Sequence, residues 1–189
     1  VSQEVRDAVR SAATALESAG AIVDEVDFTI ERALVRQASN AHNAGLFGAS
    51  LRLEIAGRED EVNPYVLAWL DEIEADATPT SFFEGRGVEA EVAERVDRLL
   101  TDYDALLCPA MCLPALPAGV DYTQQKFTLD GVERDTFHDL HLTEVFNMTG
   151  RCPVLTVPVG RGASGVPSGM QIVGRTYEDA PVMRVGAAV

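Results

Sequence analysis

His138 and His141 stand three residues apart, a spacing that would put both imidazoles on one side of a helix, as paired metal ligands are. No third ligand lies near them in the sequence, so hydrogen-bonded or solvated histidines are expected, and His42 stands alone. Three cysteines, Cys108, Cys112 and Cys152, cannot all pair with one another, which fits a reducing compartment and a cytoplasmic location. The Cys108–Cys112 segment lacks the tight turn and second ligand pair of a zinc site. Structural thiols are the expectation, with no metal and no cofactor. Lys126 is the only lysine in the chain and falls in a loop, where a solvated ammonium is expected rather than a buried base.

The composition excludes several function classes. Thirty acidic residues against fifteen basic ones give a formal net charge of -15, which repels a phosphate backbone, so nucleic acid is not an expected partner. There is no run of about 18 apolar residues to span a membrane, and no basic segment followed by an apolar stretch that would mark export. With 47% hydrophobic and 24% charged residues in 189, the chain has the makings of one domain or a large piece of one.

The elements that would position these residues read as alternating helix and strand. Ser2 caps a helix whose apolar stripe is Val5, Ala8, Val9, Ala12 and Leu16, and Gly20 stops it. Residues 21–26 then read as a short strand, so that helix, glycine and strand form half of a parallel α/β unit. Thr29 to Ile55 is helical but poorly spaced, with Gly45 and Gly48 interrupting it. Asn63-Pro64 starts a helix buried through Val66, Leu67, Leu70 and Ile73. Beyond Thr78-Pro79-Thr80, a second amphipathic segment carries Val88, Val92, Val96, Leu99 and Leu100.

Tyr103 to Pro109 fits a buried strand, followed by a proline-rich loop from Pro109 to Pro117 that runs on to about Asp135, with a hairpin near Lys126 to Val132. Residues 139–148 read as a short helix. Pro153 to Val159 reads as a strand near a sheet end, Gly160 to Ser168 as a turn, and Gly169 to Val173 as the paired strand. From Val182 onward a helical pattern with Met183, Val185 and Val189 is interrupted by the end of the chain, which suggests an unnatural boundary.

Three stretches in this order resemble the C-terminal half of the amidase-signature family. They are Tyr-Asp-Ala-Leu-Leu-Cys-Pro-Ala (103–110), Phe-Asn-Met-Thr-Gly-Arg-Cys-Pro-Val-Leu-Thr-Val-Pro-Val-Gly (146–160) and Gly-Val-Pro-Ser-Gly-Met-Gln-Ile-Val-Gly-Arg-Thr-Tyr-Glu-Asp (165–179). The opening Leu16 to Ala21, leading to Val26, matches where that half begins, and the likeness is weakest between 29 and 100.

The resemblance implies an α/β fold with a mixed sheet flanked by helices, residues 1–189 forming the C-terminal segment of an amidase domain. It also implies hydrolysis of a carboxylic amide to acid and ammonia or amine by a serine nucleophile, a cis-peptide-linked serine and a neutral lysine. The sequence has no adjacent serines, and Gly162-Ala163-Ser164-Gly165, which has a similar composition, falls between two strands. The catalytic residues are therefore expected outside this chain, which alone should be inactive.

In the family the helix carrying Thr143, Phe146 and Asn147 borders the substrate cleft, with Pro109 to Leu113 nearby. These three residues are the candidates for substrate binding. Glutamine-transamidating members carry an aspartate seven positions before the asparagine. Here that position is Leu140, beside Asp139, which points towards a general amidase and away from a tRNA-dependent amidotransferase component. Cys152 and Val154 flank Pro153 where many members have smaller residues. The implied partner is a small-molecule amide, met through the missing half. Sheet edges left open by that half predict self-association of the isolated chain. A non-catalytic binding domain built on the same scaffold is the remaining alternative.

Overall fold

A computed structural model describes residues 1–75, 77–134 and 137–189, with the backbone alone described for Phe137 and His138. The chain divides into two compact units: a sheet unit of Val1–Phe28 with Arg95–Val189, and a helical unit of Thr29–Glu94.

The sheet unit opens with α1 (Gln3–Ser18), where Ser2 Oγ accepts from the Val5 N–H at 3.4 Å and Val5, Ala12 and Leu16 are buried. Gly20, at φ +99°, turns the chain out of the helix. Strands β1 (Leu106–Pro109), β4 (Val154–Arg161) and β5 (Pro167–Val173) form a sheet in the order β1-β5-β4. The helices of this unit are the last turn of α5 (Ser81–Leu99), α6 (Glu144–Thr149) and α7 (Asp179–Ala188), besides α1.

Alternation along β5 separates two cores. Met170 and Ile172 pack with Ala12 of α1, Val159 and Val182 of α7. Val173 packs on the other face with Leu106, Val96, Leu100 and Phe146. A third cluster of Cys112, Phe127, Leu129 and Leu140 lies under the hairpin of β2 (Phe127–Leu129) and β3 (Val132–Arg134). The turn between them is Asp130-Gly131 at φ 50° and 78°, the left-handed pair that matches the twist of a two-residue hairpin.

Three expectations need correction. Residues 21–26 form no strand: Ile22 is 92% exposed, and of this extended run only Val26 and, beyond it, Phe28 reach a core cluster. A short apolar run can read as a strand, but a strand also needs a paired neighbour. The parallel unit is accordingly absent, and among the described residues β1, β4 and β5 pair only antiparallel. Of the expected mixed sheet these residues thus hold antiparallel pairs alone, while the α/β arrangement of an open sheet flanked by helices stands. The helix read over 139–148 begins only at Glu144. Before it, Leu140 O accepts from the Cys112 N–H at 2.8 Å and the Leu142 N–H donates to Ala110 O at 3.1 Å, a bridge centred on Met111 and His141 that takes the backbone groups a helix would use. A 3-10 turn, Phe137–Leu140, precedes it.

The helical unit contains α2 (Arg32–Asn43), α3 (Ala49–Ile55), α4 (Pro64–Ala75) and the first part of α5. Asn63 Oδ1 accepts from the Tyr65 N–H at 3.0 Å, the cap expected of Asn-Pro. Small residues let the helices approach closely. A Cβ on Gly85 would stand 3.1 Å from the Ala41 Cβ and 3.3 Å from the Ala38 carbonyl oxygen. Between α2 and α3 the chain widens into a π-helical turn, Ala44–Gly48, which is why the apolar spacing there looked irregular. Leu46, Phe47, Leu53 and Phe83 of this unit are exposed. Among the described residues no helix is long and apolar enough to cross a membrane.

Candidate functional site

Thr143, Phe146 and Asn147 come together at the start of α6. The Thr143 carbonyl accepts from the N–H groups of Phe146 at 3.2 Å and Asn147 at 3.0 Å, and Gly150, at φ 59°, ends the helix. Their surroundings differ. Phe146 is 5% exposed and belongs to the core with Val96, Leu100, Leu106 and Val173, whereas Asn147 is exposed and Thr143 half-buried.

The Pro109–Leu113 segment lies against the residues that lead into α6, through the Cys112–Leu140 and Leu142–Ala110 bonds described above. Gln171, in the middle of β5 and 1% exposed, adds a third tie: its Nε2 donates to Pro109 O at 2.9 Å and to Leu142 O at 3.4 Å. Nothing in the sequence pattern singled out Gln171, because its partners are 62 and 29 residues away.

The other sequence candidates lie elsewhere. Lys126 Nζ is paired with Glu133 Oε1 at 3.0 Å across the exposed hairpin. Ser164, in the exposed turn between β4 and β5, donates to Glu4 Oε1 at 3.2 Å and accepts from the Val166 N–H. His42 Nδ1 meets Glu89 Oε1 at 2.5 Å, a contact 47 residues apart that no local pattern announces. His141 takes part in the bridge to Met111, while the His138 side chain lies outside the described residues. Leu140, where an aspartate was sought, is buried in the cluster under the hairpin.

Among the described residues the three cysteines form no disulfide. Burial pushes the Cys108 thiol up to about 12, only partly opposed by the hydrogen bond from Gln171, and burial also raises Cys152. Neither is poised as a thiolate nucleophile at neutral pH. Among the described residues no group of three or more His, Cys, Asp or Glu side chains could hold a metal ion.

A cleft of about 550 Å³ opens beside the end of α5, lined by Asp97, Thr101, Arg151, Arg175, Thr176 and Tyr177 among others. Tyr177 holds φ 64°, a conformation a bulky residue rarely adopts. Arg175 is committed to structure: Nε donates to Leu100 O at 2.6 Å and Nη2 to Tyr103 O at 2.9 Å, joining the turn after β5 to the segment that leads into β1. None of Thr143, Phe146 and Asn147 lines this cleft.

Comparison with known proteins gives this arrangement its context. A family model described as Amidase matches residues 1–183. The glutamyl-tRNA(Gln) amidotransferase A-type polypeptide of Halothermothrix orenii is 26% identical over 203 aligned residues, covering 96% of this chain and 40% of the relative. Its counterparts from other bacteria also match. Among solved structures, a crystal structure of an amidase superposes with a TM-score of 0.83 at 24% identity, covering all of this chain and 42% of that one. A bacterial aryl acylamidase of the amidase-signature family superposes at 0.80 with 24% identity, covering all of this chain and 40% of that one. The chain thus spans about two-fifths of the length of these relatives.

Proposed function

This chain belongs to the amidase family, and from that premise we propose that it is part of an enzyme that cleaves the C–N bond of a carboxylic amide, with nucleophile and base supplied from outside residues 1–189. The family match along almost the whole chain carries this reading. Within the chain the chemistry has no home: no two serines are adjacent, and the single lysine is an exposed, ion-paired side chain that lacks the burial needed to neutralise it.

In the complete enzyme a serine alkoxide would form at a neighbouring general base and attack the amide carbonyl. Backbone N–H groups would hold the oxyanion, and the amine would leave on protonation. The part assigned to this chain is scaffold and one wall of the acyl pocket, through the start of α6 at Thr143 and Asn147, with Phe146 packed in the core behind them.

A second reading is favoured by the named curated relatives over simple hydrolysis: an amidotransferase component, in which the amide nitrogen is passed on to a second acyl group. The leucine at position 140 argued against it from the sequence, but a single departure weighs less than these relatives do. Both readings share the same first bond cleavage.

Fluorophosphonate labelling of the full-length gene product, with peptide mapping and an amide-hydrolysis assay, tests the proposal. One adduct outside residues 1–189 with amide turnover is expected, and Ser164→Ala and Lys126→Met should leave turnover unchanged. An adduct on Ser164, or turnover by residues 1–189 alone, would overturn it. Glutamine consumption matched by amide formation on an acyl acceptor would decide for the amidotransferase.

A further inference from the structure

Gln171 sits on the central strand, opposite Cys108 of β1 on one side and Thr156 of β4 on the other. A long polar side chain there, 1% exposed, must satisfy its donors internally. It does so by bridging two carbonyls from separate stretches of chain, Pro109 O at 2.9 Å and Leu142 O at 3.4 Å, with Cys108 Sγ as a further acceptor at 3.6 Å. A carboxamide NH₂ has two hydrogens diverging from one nitrogen, which suits such a bridge; a carboxylate or an aliphatic side chain has none. Pro109 is the last residue of β1 before the proline-rich loop, and Leu142 immediately precedes Thr143, whose carbonyl starts α6. Backbone bonds join the two stretches just beyond this bridge, between Ala110 and Leu142 and between Cys112 and Leu140. The backbone holds the start of this loop to the central strand through the Ala110 N–H on Gly169 O at 2.9 Å, and the Gln171 side chain adds the tie that reaches across to the stretch leading into α6.

We propose that Gln171 is a positioning residue for the amide substrate, setting the wall formed by Pro109–Leu113 and Thr143–Asn147 without touching the substrate itself. The proposal rests on the amide-cleavage reading above. It assigns to a buried strand residue a role in substrate affinity that a merely structural residue would not have.

The test uses the full-length enzyme with Gln171→Met, which keeps the length but removes both donors. Hydrogen exchange at the Cys112 and Leu142 amides should quicken about tenfold while that of β4 amides paired to β5 is unchanged. KM for the amide should rise about tenfold with kcat held within about threefold, the mark of lost binding rather than lost chemistry. Gln171→Glu provides a second variant. Its carboxyl can donate a hydrogen only while protonated, so KM should climb with pH beyond any change in the parent enzyme, and this variant carries the test if Gln171→Met does not fold. Ser168→Ala, at a buried hydroxyl with no hydrogen-bond partner among the described residues, is the control and should change neither readout.

Faster exchange with KM unmoved would leave Gln171 a structural tie and overturn its role in affinity. Unchanged exchange and unchanged KM would overturn the tie itself. A parent enzyme that binds and cleaves no amide would sink the amide-cleavage reading and the positioning role with it, while the exchange experiment would still decide whether the clamp exists.

Discussion

In the sheet unit the most buried polar side chain described is Gln171, a neutral carboxamide whose NH₂ is shared among two backbone carbonyls and the Cys108 sulfur. In the helical unit it is Glu89, 3% exposed, whose two carboxyl oxygens meet His42 Nδ1 and the Arg86 guanidinium. The contrast follows from the two kinds of element. A strand end and an irregular loop leave carbonyls without ladder partners, so a donor side chain is needed. Helices satisfy their own backbones, so a polar group buried between them must find other side chains. The cores differ in the same sense, with large side chains interleaved between sheet and helix in one unit and Gly85, Ala38 and Ala41 in close approach in the other.

The largest effect that would sharpen this contrast is expected from Phe146→Ala. As a core residue of the sheet unit, Phe146 should cost about 3–5 kcal/mol when truncated, read from the denaturant midpoint. Unchanged stability with a raised KM for the amide would make it a pocket residue instead.

A smaller effect is expected in the helical unit. Glu89→Gln keeps the shape but weakens both charge-assisted contacts, for a loss of about 1–3 kcal/mol in chemical denaturation. If His42→Ala in the same background costs as much as it does alone, the two residues are not coupled, and the buried cluster is not a unit.

The smallest is a pH effect confined to the sheet unit. The folded Cys108 thiol is held near 12, above its ordinary value of 9.0, so below pH 9 both folded and unfolded chains keep the proton and stability is complete. Between pH 9 and about 12 only the unfolded chain releases it, and stability should fall with a slope of up to about 1.4 kcal/mol per pH unit. Cys108→Ala should flatten that slope against the wild-type chain in alkaline denaturation curves, and an unaltered slope would show that Cys108 is not its source.

Features governed by neighbours in sequence were legible from the start. The Ser2 and Asn63 caps, a hairpin near Lys126 to Val132 and the β4–β5 pair all stand where local chemistry placed them. Features that depend on a distant partner were not. Residues 21–26 carry the apolar residues of a short strand but pair with no strand among the described residues, and the start of the helix near 139 gives way to bonds with Ala110 and Cys112. The candidate site shows the same division. Thr143, Phe146 and Asn147 came from a motif along the chain, whereas the Gln171 bridge exists only once three separate segments meet.

The widened turn at Ala44–Gly48 has a consequence for how this sequence can change in length. A π turn holds one residue more than the α-helical turn it replaces, so it takes up an extra residue while the helix beyond it keeps its facing. Losing one residue from that turn would restore an uninterrupted α-helix from α2 into α3 with Gly48 still against Ile73, whereas the same loss inside α2 or α3 would swing every later side chain by about 100°. The turn therefore acts as a buffer of length, and single-residue deletions should be tolerated better between 44 and 47 than inside α2 or α3.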